Sequence, residues 1–336
     1  MKTISDLPDE LILHVLDEVH PDDIESFSQT CKHIHACSRG HLEKHRNFKA
    51  QYSEVVLRWK EPKSDDHAYH FQHPMFLLEK IWNEPVVAHY IKMLEFVGVN
   101  MGIYQADREQ TITERIKTSS TSFRDAKASL LDLLHPVASE WLEQLRSGDR
   151  GVCFNTLFLS LSSLQRLRIN YDLDEVHVEY YFDEVAGSLP HLHTIEIYAA
   201  TGKPVDIEYF TDFMFLPNIR HLKGLEIDGA AFDRLYPPII LGRHPDEYSN
   251  VESIEITEGF GDLALLWALK DRFVHLEHFR FSFAKGSLPH YARPDVFNLV
   301  RKLSEAFGGR LKSLSLIGSG DRVDKKYTFS DFKVRP

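Results

Sequence analysis

The sequence predicts an α/β protein: a small N-terminal helical unit, then an irregular repeat solenoid with a parallel sheet and outer helices. Three observations predict this. Two stretches in the first fifty residues carry apolar positions at helical spacing. The pattern apolar-x-x-apolar-x-apolar then recurs along the rest of the chain. Helix-like segments lie between its copies. With 336 residues, 43% of them hydrophobic, the chain is large enough for one sizeable core beside the small unit.

The first helix is expected in LPDELILHVLDEV, residues 7–19. Pro8 suits a helix start, and Asp9 and Glu10 complement the dipole of the first turn. Leu11, Ile12, Val15, Leu16 and Val19 form the apolar stripe. After HPD, a second helix is expected in DDIESFSQTCKHIHAC, with Ile24, Phe27, Cys31 and Ile34 on one face. On that reading Cys31 is a small buried apolar residue.

The order Leu7-Pro8, Glu10, Leu11-Ile12, Val15-Leu16, Val19, Asp23-Ile24, Phe27, Cys31-Lys32, Ile34 resembles the F-box motif over about residues 4–48. The resemblance implies docking to the Skp adaptor and, through it, to the cullin scaffold of an SCF-type ubiquitin ligase. The adaptor-contact residues it implies are Leu7, Pro8, Leu11, Ile12, Val15, Leu16, Ile24 and Phe27. Of these, Leu7, Pro8, Ile12, Val15 and Leu16 are expected to form an exposed apolar edge, because so short a helical segment buries little core alone. The alternative is that they pack against the rest of this chain.

The stretch TCKHIHACSRGHLEKH, residues 30–45, holds two cysteines and four histidines. A structural zinc site usually draws on two short pairs, such as cysteines two to four residues apart. Cys31 and Cys37 are six apart, so no metal is expected, and the histidines are read as surface groups.

Residues 49–85 read as linker and connecting helices. QYSEVVLRWK suits helix or strand, PKSDDHAYHFQH is polar, and HPMFLLEKIWNEP suits a short helix between prolines. The repeat domain is placed at 86–336. Its copies are Ile91-Leu94-Phe96, Leu164-Leu167-Ile169, Leu192-Ile195-Ile197, Leu222-Leu225-Ile227, Val251-Ile254-Ile256, Leu276-Phe279-Phe281 and Leu311-Leu314-Leu316. From Leu167 onward the central positions are 25–35 residues apart. Between them, PDVFNLVRKLSEAFGG shows a helical stripe closed by Gly308-Gly309, and GDLALLWALKDRF another. This arrangement resembles degenerate leucine-rich repeats, lacking the asparagine of regular ones. A doubly wound α/β domain is the alternative, though no Gly-rich phosphate loop follows a strand. A helical insertion is expected near 100–150, with a loop at 117–122. The whole layout resembles F-box proteins numerous in filamentous fungi.

The middle position of each copy is expected on the open face of the sheet. Glu196, Glu226 and Glu255 would then form a ladder of like charges, flanked by Arg168 and Arg280, with Asp228 and Tyr198 beside it. Like charges directly opposed on a sheet are unfavourable. These seven residues are therefore the candidate site for a target protein with a basic segment; the alternative is a solvated face neutralised by the two arginines.

No Gly-x-Ser-x-Gly elbow, His-Glu-x-x-His or paired-cysteine spacing occurs, so a non-catalytic adaptor subunit is expected, without cofactor. The alternatives are a scaffold acting outside ubiquitin transfer, or a hydrolase with an unrecognised site. A net charge of −11 disfavours nucleic acid and anionic membranes as partners. Three cysteines, with no apolar leader, spanning run or lipidation box, lead to a cytoplasmic and/or nuclear expectation.

Overall fold

The structure, a computed structural model, describes residues 4, 7–58, 70–71, 74–97, 150–171, 189–199, 205–206, 213–228, 248–259, 269–283, 296–307, 309–317 and 326–327. The insertion expected near 100–150, its loop at 117–122 and most of GDLALLWALKDRF lie outside them.

The N-terminal unit is built from α1 (Asp9–Glu18), a 3-10 turn (Pro21–Asp23), α2 (Ile24–Ser28), α3 (Lys32–Cys37) and α4 (Arg39–Tyr52). Pro8 caps α1 from extended backbone, and its carbonyl accepts from the Leu11 and Ile12 amides. The single helix expected over 22–37 is broken. Thr30 Oγ1 donates to the Phe27 carbonyl, and Cys31 takes an extended conformation from which its sulfur accepts the Ile34 amide. Side-chain bonds of this kind offer the backbone an alternative to continued helix. Ile12, Leu16 and Ile34 form a small core, with Leu7, Phe27, Cys31 and Cys37 packed around it.

The larger unit is one ten-stranded sheet. Its strands are β1 (Glu54–Arg58), β2 (His70–Phe71), β3 (Met93–Val97), β4 (Arg166–Tyr171), β5 (Thr194–Ala199), β7 (His221–Leu225), β9 (Ser253–Gly259), β10 (His278–Phe283), β11 (Ser313–Ile317) and β12 (Lys326–Tyr327). A separate two-stranded sheet pairs β6 (Val205–Asp206) with β8 (Ile227–Asp228). From β1 to β12 the main sheet follows chain order, with only β2 placed outside β1 at the edge. All pairings are parallel except β11 with β12. A doubly wound sheet reverses its order at a switch point inside the sheet; here the order runs one way across nine strands.

The inward positions align in two rows. Val55, Leu94, Leu167, Ile195, Leu222, Ile254, Phe279 and Leu314 are mutual register partners along the sheet. All eight are buried. Val55 stands in the stretch read above as linker, and β1 joins the same row as the later copies. Against this face pack α5 (Pro74–Asn83) through Leu77, Leu78 and Ile81, α7 (Arg150–Ser160) through Phe154, Leu157 and Phe158, and α8 (Val296–Phe307) through Leu303 and Phe307. The short α6 (Val86–Tyr90) adds Val87 and Tyr90. Each such side chain contributes about 1.5–3 kcal/mol on leaving water.

The copy at β7 sits in a different frame from the sequence reading. Ile195 pairs with Leu222 and Leu222 with Ile254, so Leu222 takes the central position assigned to Leu225. Ile219, Leu222, Gly224, Leu225 and Ile227 fit the apolar pattern in two frames three residues apart. An odd shift exchanges the faces of a strand. The frame adopted buries Leu222 inward, puts Leu225 half-buried on the opposite face, and frees Ile227 for β8.

Gly259 ends β9 where only hydrogen fits. A Cβ there would lie 2.5 Å from the Phe281 ring and 2.7 Å from Ile256, both fully packed. Gly259→Ala is expected to cost about 1–3 kcal/mol by overpacking, read as a lower urea midpoint at unchanged m.

Candidate functional site

Two surfaces carry the candidate residues: α1 and the open face of the sheet. On α1, helical geometry separates two apolar stripes that the sequence reading merged. Ile12 and Leu16 are 0% and 2% exposed and belong to the small core. Their place on an exposed edge is corrected: they meet Ile34 from α3, and the pairing of the two helices consumes that face. Ile24, on α2, is buried as well. The other stripe faces solvent. Pro8, Leu11 and Val15, spaced by three and four, share it. Leu11 is 50% and Val15 36% exposed, and Ile4 is exposed as well; Leu13, also exposed, points to another side of the helix. Leu7 and Phe27 are half-buried at the rim of the core.

The cysteine- and histidine-rich stretch has a structural role invisible in its spacing. Three of its histidines each meet a carboxylate from another helix: His33 with Asp9 at 3.3 Å, His41 with Asp17 at 3.0 Å and His45 with Glu25 at 3.3 Å. These pairs tie α3 to α1, α4 to α1 and α4 to α2. His45 is buried, contrary to the surface reading, because its Nδ1 also shares a hydrogen bond with the Tyr90 hydroxyl at 2.9 Å. Burial pushes the Tyr90 phenol up to about 12, so it stays a neutral donor. Burial likewise raises the Cys37 thiol, with Asp9 adding to the effect.

On the open face of the sheet, the register replaces the expected carboxylate ladder. Glu95, Arg168, Glu196, Lys223, Glu255 and Arg280 are successive cross-strand neighbours from β3 to β10. The row alternates in sign across six strands. Glu226 is not in it; the three-residue frame shift puts Lys223 between Glu196 and Glu255. Glu226 lies beyond β7 with φ 57, its amide donating to the Thr257 carbonyl. Asp228 is in β8, off the main ladder.

Glu196 is the centre of the row. Its side chain is 3% exposed. Arg168 grips it through Nη2 at 2.8 Å and Nε at 2.9 Å and reaches Glu95 with Nη1 at 3.2 Å. The Tyr198 hydroxyl donates to the same carboxylate at 2.9 Å, with the guanidinium over its ring. Arg166 at 3.6 Å and Lys223 at 3.8 Å complete the shell. Burial alone would raise the Glu196 pKa, but the hydrogen bonds from Arg168 and Tyr198 and the charges of Arg168 and Arg166 hold it below the ordinary value. Burial and the bond to Glu196 push Tyr198 up to about 12. Further along, Arg280 meets Glu255 at 2.9 Å in a more exposed pair. The row therefore neutralises itself, and the unfavourable charge repulsion that would have required a basic partner is not present.

Arg168→Met would leave Glu196 buried with weaker partners. The expected cost at neutral pH is about 3 kcal/mol, at the low end for breaking a buried pair because Tyr198, Arg166 and Lys223 remain. Since the folded pKa of Glu196 is depressed, its contribution in the parent protein is present above the ordinary value of 4.5 and lost as pH falls through the folded value. The deficit of the variant should accordingly shrink on acidification, which urea unfolding across pH would measure.

Among the described residues no helix is long and apolar enough to cross a membrane. Comparison with curated proteins finds no match to this chain. Residues 4–46, the helical unit that presents the Pro8–Leu11–Val15 stripe, match the family model of the F-box domain, and the chain therefore carries an F-box domain at that position.

Proposed function

We propose that this chain is a non-catalytic substrate-recognition subunit of an SCF-type ubiquitin ligase. The F-box docks to the Skp adaptor, which joins it to the cullin scaffold, and the sheet domain holds a target protein. The observation that carries this reading is the solvent-facing stripe of Pro8, Leu11 and Val15 on a helix whose neighbouring face, Ile12 and Leu16, is already packed. Leu7 and Phe27 border it. Ile12 and Leu16 act from beneath, by holding α1 in place, and Ile24 is buried within α2. Apolar side chains in such a contiguous patch mark a protein-binding surface.

The sheet domain is read as a degenerate leucine-rich-repeat solenoid, in keeping with the layout of fungal F-box proteins. One-way strand order, repeat spacing and a repeated hydrogen-bond pattern at each strand start support this. For the target, the more exposed half of the polar face is assigned, with Glu255 and Arg280 and the newly placed Lys223. Arg168, Glu196 and Tyr198 pair among themselves and shape that face. A target segment of mixed charge suits it better than a purely basic one. Glu226 and Asp228 stand apart from this row.

Co-expression with the Skp adaptor tests the reading. Leu11→Glu/Val15→Glu should abolish co-purification while urea stability stays within about 0.5 kcal/mol, as for exposed substitutions. Ile12→Ala should instead lower stability by about 2–5 kcal/mol. Unchanged co-purification of the double variant would sink the docking assignment. Ubiquitin transfer reconstituted with adaptor and cullin separates the ligase role from a scaffold acting outside it.

A further inference from the structure

In the F-box, the His33–Asp9 pair that ties α3 to α1 is joined by a third donor, Cys37. Asp9 opens α1, and His33 and Cys37 lie on α3. The latter two are four residues apart, so they share one face of the helix. That face turns toward the start of α1. One ligand atom from each of the three residues lies within 4.8 Å of the others. The Asp9 carboxylate is 3.3 Å from His33 Nε2, and the Cys37 sulfur lies within 4.8 Å of both. Both His33 and Asp9 are reachable from solvent, with side chains 41% and 67% exposed.

From this arrangement we infer that Asp9, His33 and Cys37 form a binding site for a single divalent transition-metal ion, zinc in the first instance. An imidazole nitrogen, a thiolate and a carboxylate make a borderline-soft donor set, which suits zinc and excludes calcium and magnesium, whose ligands are oxygens. Zinc bonds of about 2.0–2.3 Å place tetrahedral ligand atoms roughly 3.3–3.6 Å apart. The Asp9–His33 pair already has this spacing, so only the half-buried Cys37 sulfur has to approach, by up to about an ångström. The fourth position is left to solvent. On binding, the thiol proton of Cys37 leaves to solvent and the thiolate becomes a ligand.

The consequence is local. The ion would clamp α1 to α3 across the small core of Ile12, Leu16 and Ile34, at the end of α1 that carries Pro8. Metal bound only by the folded state stabilises it by mass action. The sequence hides the site because two of its donors sit on α3 and the third comes from a helix 24 residues earlier, outside any pairwise spacing rule.

The test uses the full chain, reduced and stripped of metal, titrated with cobalt(II) and then zinc. Cobalt should produce a near-ultraviolet thiolate charge-transfer band at one equivalent, and zinc should abolish it. Zinc at a hundredfold excess over its Kd should raise Tm by about 5 °C. Cys37→Ser should eliminate the band and the shift. His33→Gln, which keeps the thiol, should weaken cobalt binding at least about tenfold. A Cys31→Ser/Cys153→Ser variant should retain the band. No band in the parent chain overturns the proposal. So does a band that survives Cys37→Ser or is lost in the Cys31/Cys153 variant.

Discussion

The sheet depends on a hydrogen-bond clamp repeated at the start of each strand. The carbonyls of Ser53, Lys92, Gln165, His193, Arg220, Glu252 and Glu277 each accept two consecutive amides from the next coil. Lys92 and Met93, for example, both donate to Ser53 at 3.1 and 2.9 Å. Parallel pairs are slightly weaker per residue than antiparallel ones, so register needs an anchor. Seven such anchors fix it coil by coil. Once it is fixed, period-two alternation sends one set of side chains into a common core and the other to the open face. Among the described residues the outermost strands, β2 and β12, are two residues long, and short edge strands limit the template offered to other chains.

The electrostatics of the open face follow from the same anchor. Glu196 tolerates burial only because Arg168 and Tyr198 arrive beside it at bonding distance. A slip of β7 by the three residues that its apolar pattern also permits would set Glu226 opposite Glu196 and Glu255. Apolar patterning thus leaves two frames open, and charge complementarity along the row favours the one adopted. The alternating row serves as a register device at least as much as a surface.

What the sequence disclosed follows the strength of its periodicity. The stripe of residues 7–19, the PMFLLEKIWN helix and the seven-copy strand repeat were legible because many side chains agree on one period. The break at Gln29–Cys31 was not, since it rests on a cysteine sulfur acting as cap, a role outside the usual serine, threonine, aspartate and asparagine set. Strand β1 was read as helix or strand, because Val55 and Leu57 are its buried residues among the described side chains and two positions do not separate the periods. The exposure of α1 was misread because Pro8–Leu11–Val15 and Ile12–Leu16 both have helical spacing, and only the position of α3 decides which stripe is covered. His45 was misread because its partner, Tyr90, is 45 residues away.

The joint between the two units bears on what the chain can do. α4 runs to Tyr52, and Ser53, the very next residue, supplies the first clamp carbonyl of the sheet. No linker intervenes. Lys92 reaches back to Asp22 at 3.0 Å, His45 to Tyr90 at 2.9 Å, and the Phe48 ring packs against both Tyr52 and Tyr90. Charge, hydrogen bonding and aromatic packing thus bridge the same seam at separate points, so the α1 stripe and the open sheet face keep a fixed mutual geometry. In a flexible tether, effective concentration is set by linker length and is shared over all orientations. In this chain it is concentrated into one orientation. On the proposed function, a target held on the sheet face would be presented to a partner docked on α1 from a constant direction, and the side chains it offered would be selected by the fold of the joint.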